Sequence, residues 1–250
     1  MKVVSVTQAR MGSTRLPGKV LMKINGVSLL EMHFARILRC KKINEFILAS
    51  SDSPKDFELK DTADKMGVLF FQGSEQNVLD RFYLAVKNSS PDYVVRLTAD
   101  CPLIDPLLID KVIQFAIDNQ LDYATNILIE EFPDGQDVEV FTFAALEKAW
   151  KEAALLSEKE HVTPYIRNNS TFKGGVLFSS AHFPSPKNFH HIRMTVDEQV
   201  DFDVINELVK NLGMEKSWEE YVRYMQEHNL TLNSAIQRNE GYIKSLKNEQ

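Results

Sequence analysis

The chain has 250 residues, 44% hydrophobic and 26% charged, with a formal net charge of -6; that length can bury a full core and fits one α/β domain with additions, and the acidic balance argues against general nucleic-acid binding, which favours a basic face. Its two cysteines, Cys40 and Cys101, lack C-x-x-C or Cys/His spacing and indicate neither a disulfide framework nor a zinc site. No run of eighteen apolar residues and no secretory leader pattern is present, so a cytoplasmic location is expected.

Lys2-Val3-Val4-Ser5-Val6-Thr7 is β-branched and apolar, as a buried strand of a parallel sheet should be. The stretch Gln8 to Leu21 follows it directly and reads as a phosphate loop. Arg10, Arg15 and Lys19 supply cations, Ser13 and Thr14 supply hydroxyls, and Gly12 and Gly18 permit close backbone approach or positive φ. The first thirty residues carry five Lys or Arg and no Asp or Glu, so positive charge is concentrated beside one strand end. In open α/β sheets ligands settle outside the carboxyl ends of strands, where loop N–H groups favour anions. Two better-known phosphate loops are excluded by spacing. Five residues, not four, separate Gly12 from Gly18-Lys19, Val20 stands where a P-loop needs Ser or Thr, and G-x-G-x-x-G is absent.

A helix is expected over about 28–39, where Leu30, Phe34, Ile37 and Leu38 recur at helical spacing, with His33 in a packing or hydrogen-bonding role. Strand 45–50, a helix begun by Ser53-Pro54 and closed by Gly67, strand 68–71 and helix 74–88 continue the alternation, which implies a parallel sheet. Asp80 and Arg81 lie in that last helix, side by side, and read locally as a surface ion pair. Strand 93–98 delivers Thr98-Ala99-Asp100 to the same sheet end as Arg10, where a carboxylate facing phosphates can hold Mg2+. Asp105-Pro106 starts a helix with Asp105 as N-cap.

The second half is less regular. Residues 122–126 read as a strand, Pro133-Asp134-Gly135 as a turn, and 137–141 as a strand with Asp137 and Glu139 on one face, adequately explained as an exposed one. Ser157 to Glu160 forms a capping-box pattern, His161 has no such local explanation, and His190 and His191 stand together without further ligands. Ile192 to Asp197 reads as a strand and 198–212 as an amphipathic helix, with Asp201 and Asp203 on its surface. Residues 214–250 are too apolar for a free tail and should pack on the core or on a second subunit, which divides the chain into a domain over 1–213 and a helical extension.

The segment Ala9-Arg10-Met11-Gly12-Ser13-Thr14-Arg15-Leu16-Pro17-Gly18-Lys19-Val20-Leu21, with Ile24-Asn25-Gly26, resembles the opening of the CMP-sugar synthetases, cytidylyltransferases acting on octulosonic and nonulosonic acids. Val78-Leu79-Asp80-Arg81-Phe82, Arg96 to Pro106, Pro133 to Phe141 and Glu160 to Ile166 are more similar to the branch named for spore-coat polysaccharide biosynthesis. These blocks occur in order over about two-thirds of the chain. The sequence departs from the octulosonic-acid enzymes at Thr98 and Cys101, where they usually carry Gln and Glu.

This resemblance implies a Rossmann-like, mostly parallel sheet sandwiched by helices, of the nucleotidyltransferase or GT-A-like kind, with a small additional strand region. It further implies CTP as nucleotide, a sugar acid as acceptor, Mg2+ as cofactor and a homodimer. Ala9, Arg10, Gly12, Ser13, Arg15, Lys19, Arg81 and Thr98 would bind the nucleotide, with Arg10, Lys19 and Asp100 acting in transfer. Asp137, Glu139 and His161 would meet the acceptor, and Asp197 would join Asp100 as the second metal carboxylate. Three other readings stay open at this point. The acceptor could be a sugar or polyol phosphate; the chain could be a glycosyltransferase of the same fold, although its usual D-x-D is missing; or it could bind a nucleotide without catalysis.

Overall fold

Strand β1 (Val3–Ala9) is an interior strand of the sheet, with its β-branched residues buried on both faces. The structure, a computed structural model, describes residues 1–230, 236, 238–247 and 249. After the loop that follows β1, the hairpin β2 (Lys23–Ile24) and β3 (Val27–Ser28) leads into α1 (Leu29–Ile37). Ser28 and Glu31 close the N-terminus of α1 as a reciprocal capping box. The alternation then runs β4 (Glu45–Ser51), α2 (Glu58–Met66), β5 (Leu69–Gly73), α3 (Val78–Val86) and β6 (Tyr93–Thr98). α1 is expected from its apolar spacing and α2 from the Ser53-Pro54 and Gly67 signals at its ends. Gly67 ends α2 at φ 67, a left-handed conformation that glycine takes without penalty.

β4 and β5 extend the sheet on one side of β1 and β6 on the other, all parallel. The chain therefore reverses its direction of travel across the sheet at β1, and a crevice opens between the carboxyl ends of β1 and β6. Ligands of open α/β sheets bind at such a switch point. Ala9 and Arg10 end one strand there, and Thr98 to Asp100 end the other.

The second half adds α4 (Pro106–Asp118), β7 (Tyr123–Thr125), β8 (Glu139–Thr142), α5 (Phe143–Glu152), α6 (Leu156–His161), α7 (Pro164–Asn168) and β9 (Ser180–His182). Strand order across the sheet is β5-β4-β1-β6-β8-β7-β9, with β8 antiparallel to both neighbours. The helices α8 (Gln199–Leu212), α9 (Trp218–Glu227) and α10 (Glu240–Lys247) follow. One core lies between the sheet and α1, α4, α8 and α9; the other lies under α3, α5 and α7. Trp218, Tyr221, Val222 and Met225 place α9 in the first of these. Of the 214–250 segment, residues 231–235, 237, 248 and 250, including the apolar Leu232, lie outside the described residues. Among the described residues no helix is long and apolar enough to cross a membrane.

Three local expectations differ. Ile192 to Asp197 is extended but is no sheet strand. It is stitched to single residues on either side, through Asp134 N–H to Ile192 C=O, Met194 N–H to Asp134 C=O and Val196 N–H to Asp100 C=O. The capping carboxylate of α6 is Glu158, which accepts from Ala154 and Leu155 N–H, so the box lies earlier than Ser157 to Glu160. Asp201 is fully buried instead of lying on the helix surface, because it accepts from Asp197 and Glu198 N–H at the start of α8 and from Arg193.

Candidate active site

The loop after β1 is folded back on one carbonyl. Met11 C=O accepts from Ser13 and Gly18 N–H, and Met11 N–H donates to Asp56 at 2.7 Å. Gly18 takes φ 68, the left-handed turn that starts a short 3-10 turn carrying Lys19 inward. Gly12 has no positive φ, a Cβ placed on it would stand 4.0 Å from the Glu75 carboxylate, and its N–H and that of Thr14 make no hydrogen bond among the described residues. Unused N–H groups beside three cations suit an anion.

Lys19 is nearly buried. Its ammonium donates to Val196 C=O at 2.6 Å and to Asp197 at 2.9 Å, and lies 3.6 Å from Asp100. Burial alone would lower its pKa, but Asp100 and Asp197 outweigh burial and hold it above the ordinary lysine value. Asp197 also accepts from Arg193 and forms an ion pair with Arg15 at 3.1 Å. Burial would raise its pKa, yet Lys19, Arg15 and Arg193 keep it below the usual carboxylate range. Its carboxylate therefore faces the cations instead of capping α8, whose N-cap is Glu198. Asp105, in contrast, does cap α4, accepting from Leu107 and Leu108 N–H.

Two adjoining cavities open at this sheet end. The larger, about 830 Å3, is lined by Ala9, Arg10, Ser13, Arg15, Lys19, Arg81 and Thr98. The smaller, about 270 Å3, is lined by Asp137, Glu139 and His161 together with Arg96, Arg167 and Arg193. Asp100, Asp197, Arg15, Thr98 and His161 line both, so they stand at the junction. Of the residues expected to bind the nucleotide, the acceptor or the metal, Gly12 alone borders neither cavity, although it belongs to the loop.

Arg81 is only 2% exposed and makes no ion pair with Asp80, which instead accepts from Trp150 Nε1. Burial and the nearby Arg10 push its pKa down to about 10. Glu139 is 2% exposed, so its strand face is covered, not open as alternation alone allowed. It accepts from Arg96, Tyr123 and Thr163. Asp137 accepts from Arg238. Burial drives the His161 pKa down to about 4, with Arg96 and Arg167 adding to the fall, and its Nε2 is buried without a hydrogen-bond partner. The imidazole is neutral at ordinary pH.

Sequence reasoning missed Arg96, Arg167, Asp134 and Arg193. Arg193 donates to Asp134, Asp197 and Asp201 and so fixes the junction carboxylate from behind. The visible signal for Arg96 was a charge inside an otherwise apolar strand, which demands a buried partner. Glu240 was missed as well; it lines both cavities and pairs with Arg15 at 2.9 Å.

Among the described residues no three His, Cys, Asp or Glu side chains gather to hold an ion. Asp100 and Asp197, drawn to one ammonium, fit Mg2+, which takes one or two carboxylates and fills its remaining positions with phosphate oxygens and water. The arrangement suits a polyphosphate in the larger cavity and a second, polar molecule in the smaller.

The cytidylyltransferase family model matches residues 4–234. The spore coat polysaccharide biosynthesis protein SpsF of Bacillus subtilis is 35% identical over 84% of this chain and 88% of that protein. A 3-deoxy-manno-octulosonate cytidylyltransferase of Bdellovibrio bacteriovorus is 33% identical over half of each chain. A solved cytidylyltransferase from Leptospira borgpetersenii superposes with a TM-score of 0.87 at 30% identity, over 95% of this chain and all of that one. With the family match spanning nearly the whole length, this chain belongs to the cytidylyltransferase family.

Proposed function

We propose that the protein transfers the cytidylyl group of CTP to a hydroxyl of a sugar acid, releasing pyrophosphate and supplying a CMP-sugar for surface polysaccharide. The carrying observation is that two polar cavities meet at Asp100 and Asp197 beside Lys19. CTP lies in the larger cavity with its triphosphate against Arg10, Arg15, Lys19 and the loop N–H groups, and Ala9, Thr98 and Arg81 bound the nucleoside. The acceptor lies in the smaller cavity against Asp137, Glu139 and His161. Its octulosonic or nonulosonic acid character is supported by the relatives that act on 3-deoxy-manno-octulosonate.

At the junction the acceptor hydroxyl forms a bond to the α-phosphorus, the bond to the bridging oxygen of pyrophosphate breaks, and the hydroxyl proton passes to water. Asp100 and Asp197 would hold Mg2+, which when bound neutralises phosphate charge. Lys19 and Arg15 hold the departing pyrophosphate in line. Positioning and charge neutralisation carry such a transfer, with no covalent enzyme intermediate. Neutral His161 offers Nε2 to an acceptor hydroxyl. A second copy of the chain is the expected partner, and sedimentation as a monomer at micromolar concentration would remove it.

The test is incubation with CTP, Mg2+ and a panel of octulosonic and nonulosonic acids, read by pyrophosphate release and product mass. A product bearing CMP on the acid supports the reading. A diphosphate product from a sugar phosphate, or transfer of a sugar from a finished nucleotide sugar, overturns it.

A further inference from the structure

Nothing apolar holds helix α10 down. Ser245 is its one buried residue, Tyr242 and Ile243 are half-buried, and Leu246 is exposed. None of these three apolar side chains belongs to either core. A helix of 8 residues is too short to persist alone in water and depends on what it is docked to. The docking of α10 is polar and peripheral. Arg238, just ahead of it, pairs with Asp137 and donates to Phe132 C=O at 3.1 Å. Glu240 pairs with Arg15 at 2.9 Å, and the Tyr242 ring meets His161 edge-on. Beyond the end of the helix, Glu249 accepts from Ser157 N–H at 2.6 Å and from Ser157 Oγ at 2.9 Å. Exposed ion pairs are worth little in water, so an element tied on in this way opens at low cost.

That loosely held helix spans the junction of the site. It is fastened to the Asp137 turn at one end and to α6 at the other. Between these points Glu240 and Gly241 line both cavities, Tyr242 the smaller and Lys244 the larger. Arg15 is the point of conflict. Among the described residues its guanidinium faces Asp197 at 3.1 Å, Glu198 at 3.7 Å and Glu240 at 2.9 Å. Asp197 and Glu198 belong to the segment that builds the site, whereas Glu240 is brought in by α10. Carboxylate and phosphate bind the same planar donor fork of a guanidinium. Glu240 and a phosphate therefore oppose each other on Arg15, through competition for its donors and through repulsion of like charge.

We propose that α10, with its flanking Arg238 and Glu249, is an autoinhibitory strap, docked in the ligand-free protein with Glu240 standing in for phosphate on Arg15 and displaced when a polyphosphate binds. Docking and polyphosphate binding are thereby antagonistic, and each weakens the other by the same factor. The apparent affinity for the triphosphate is lowered by the fraction of molecules in which the strap is closed. The inference rests on the proposed binding of the triphosphate at Arg15.

Backbone hydrogen exchange followed by mass spectrometry on the intact chain tests it. Addition of CTP with Mg2+ should speed exchange in the peptides covering α10. Unchanged exchange there overturns the inference, and so does slowed exchange, which would make the helix a lid that closes on the nucleotide. Calorimetry supplies a second arm. Glu249 lines neither cavity, yet Glu249→Ala should raise the affinity for CTP and for inorganic tripolyphosphate about fivefold, the factor that one lost hydrogen bond allows. Unchanged affinity for both overturns the strap, and the exchange result on the wild type stands whether or not the variant folds. Tripolyphosphate separates this inference from the function beneath it: a gain for tripolyphosphate without any binding of CTP overturns the cytidylyl reading and supports the strap. Failure of both ligands to bind the wild type overturns both.

Discussion

Lys19 carries the largest expected effect of any single residue. Its removal takes a preorganised cation from the phosphates, which costs on the order of 10²–10³ in rate. It also leaves Asp100 and Asp197 without their shared cation. Lys19→Ala is therefore expected to lose turnover by that factor while retaining the folded circular dichroism spectrum, and undiminished turnover would contradict the assignment. His33 governs a different observable. Burial pushes its pKa from 6.5 down to about 4, against the hydrogen bond to Cys101 C=O. Below pH 6.5 the unfolded chain takes up a proton that the folded chain refuses, so stability falls as pH drops from about 6.5 toward about 4. Denaturant midpoints across that window should show the fall, to which His161 contributes as well, and His33→Gln should lessen it; an identical slope in both proteins would contradict the account. The loop cations and Asp100 were legible in the sequence because chain position alone puts them at one strand end. Glu139 and Asp201 were not, because periodicity says which face a residue takes but not whether another element covers that face.

Asp105 joins two helices. One carboxylate oxygen caps α4 through Leu107 and Leu108 N–H, and the other accepts from Trp218 N–H at the start of α9. Asp105→Ala is expected to cost about 1–3 kcal/mol by losing a cap and stranding a buried donor. An unchanged melting midpoint would show that these bonds are dispensable. The helix α10 lies across the cleft: Glu240 holds Arg15, and Tyr242 sits edge-on to His161 with Arg167 over its ring. Glu240→Gln removes one of the carboxylates that compete with phosphate for Arg15, leaving Asp197 and Glu198, so CTP affinity should rise a few-fold; unchanged affinity would mean that Glu240 does not compete. The run from β1 to β6 was legible as elements because each strand and helix has its own local period. Residues 192–197 alternate equally well, but their hydrogen-bond partners are isolated residues of other segments, Asp134 and Asp100, and no local pattern reveals that.

At the scale of the molecule, the −6 net charge hides a strong internal separation. The cations of the first loop face the carboxylates of the β6 end and of the segment before α8, and that opposition forms the junction between the two cavities. Reversal of strand order at β1 places the junction at the sheet's switch point; the alternating β-α pattern foretold the parallel sheet but not that order. The smaller cavity was less legible, since it is assembled from β8, α7, the 134–137 turn and residues near the C-terminus, far apart in sequence. Calorimetric titration of CTP, UTP, ATP and GTP in the presence of Mg2+ tests the central claim without knowledge of the acceptor. The account predicts that CTP binds most tightly and that Lys19→Ala weakens it at least about tenfold, as loss of a charge-assisted contact should. Tighter binding of UTP or a purine triphosphate, or CTP binding indifferent to Lys19, would contradict it.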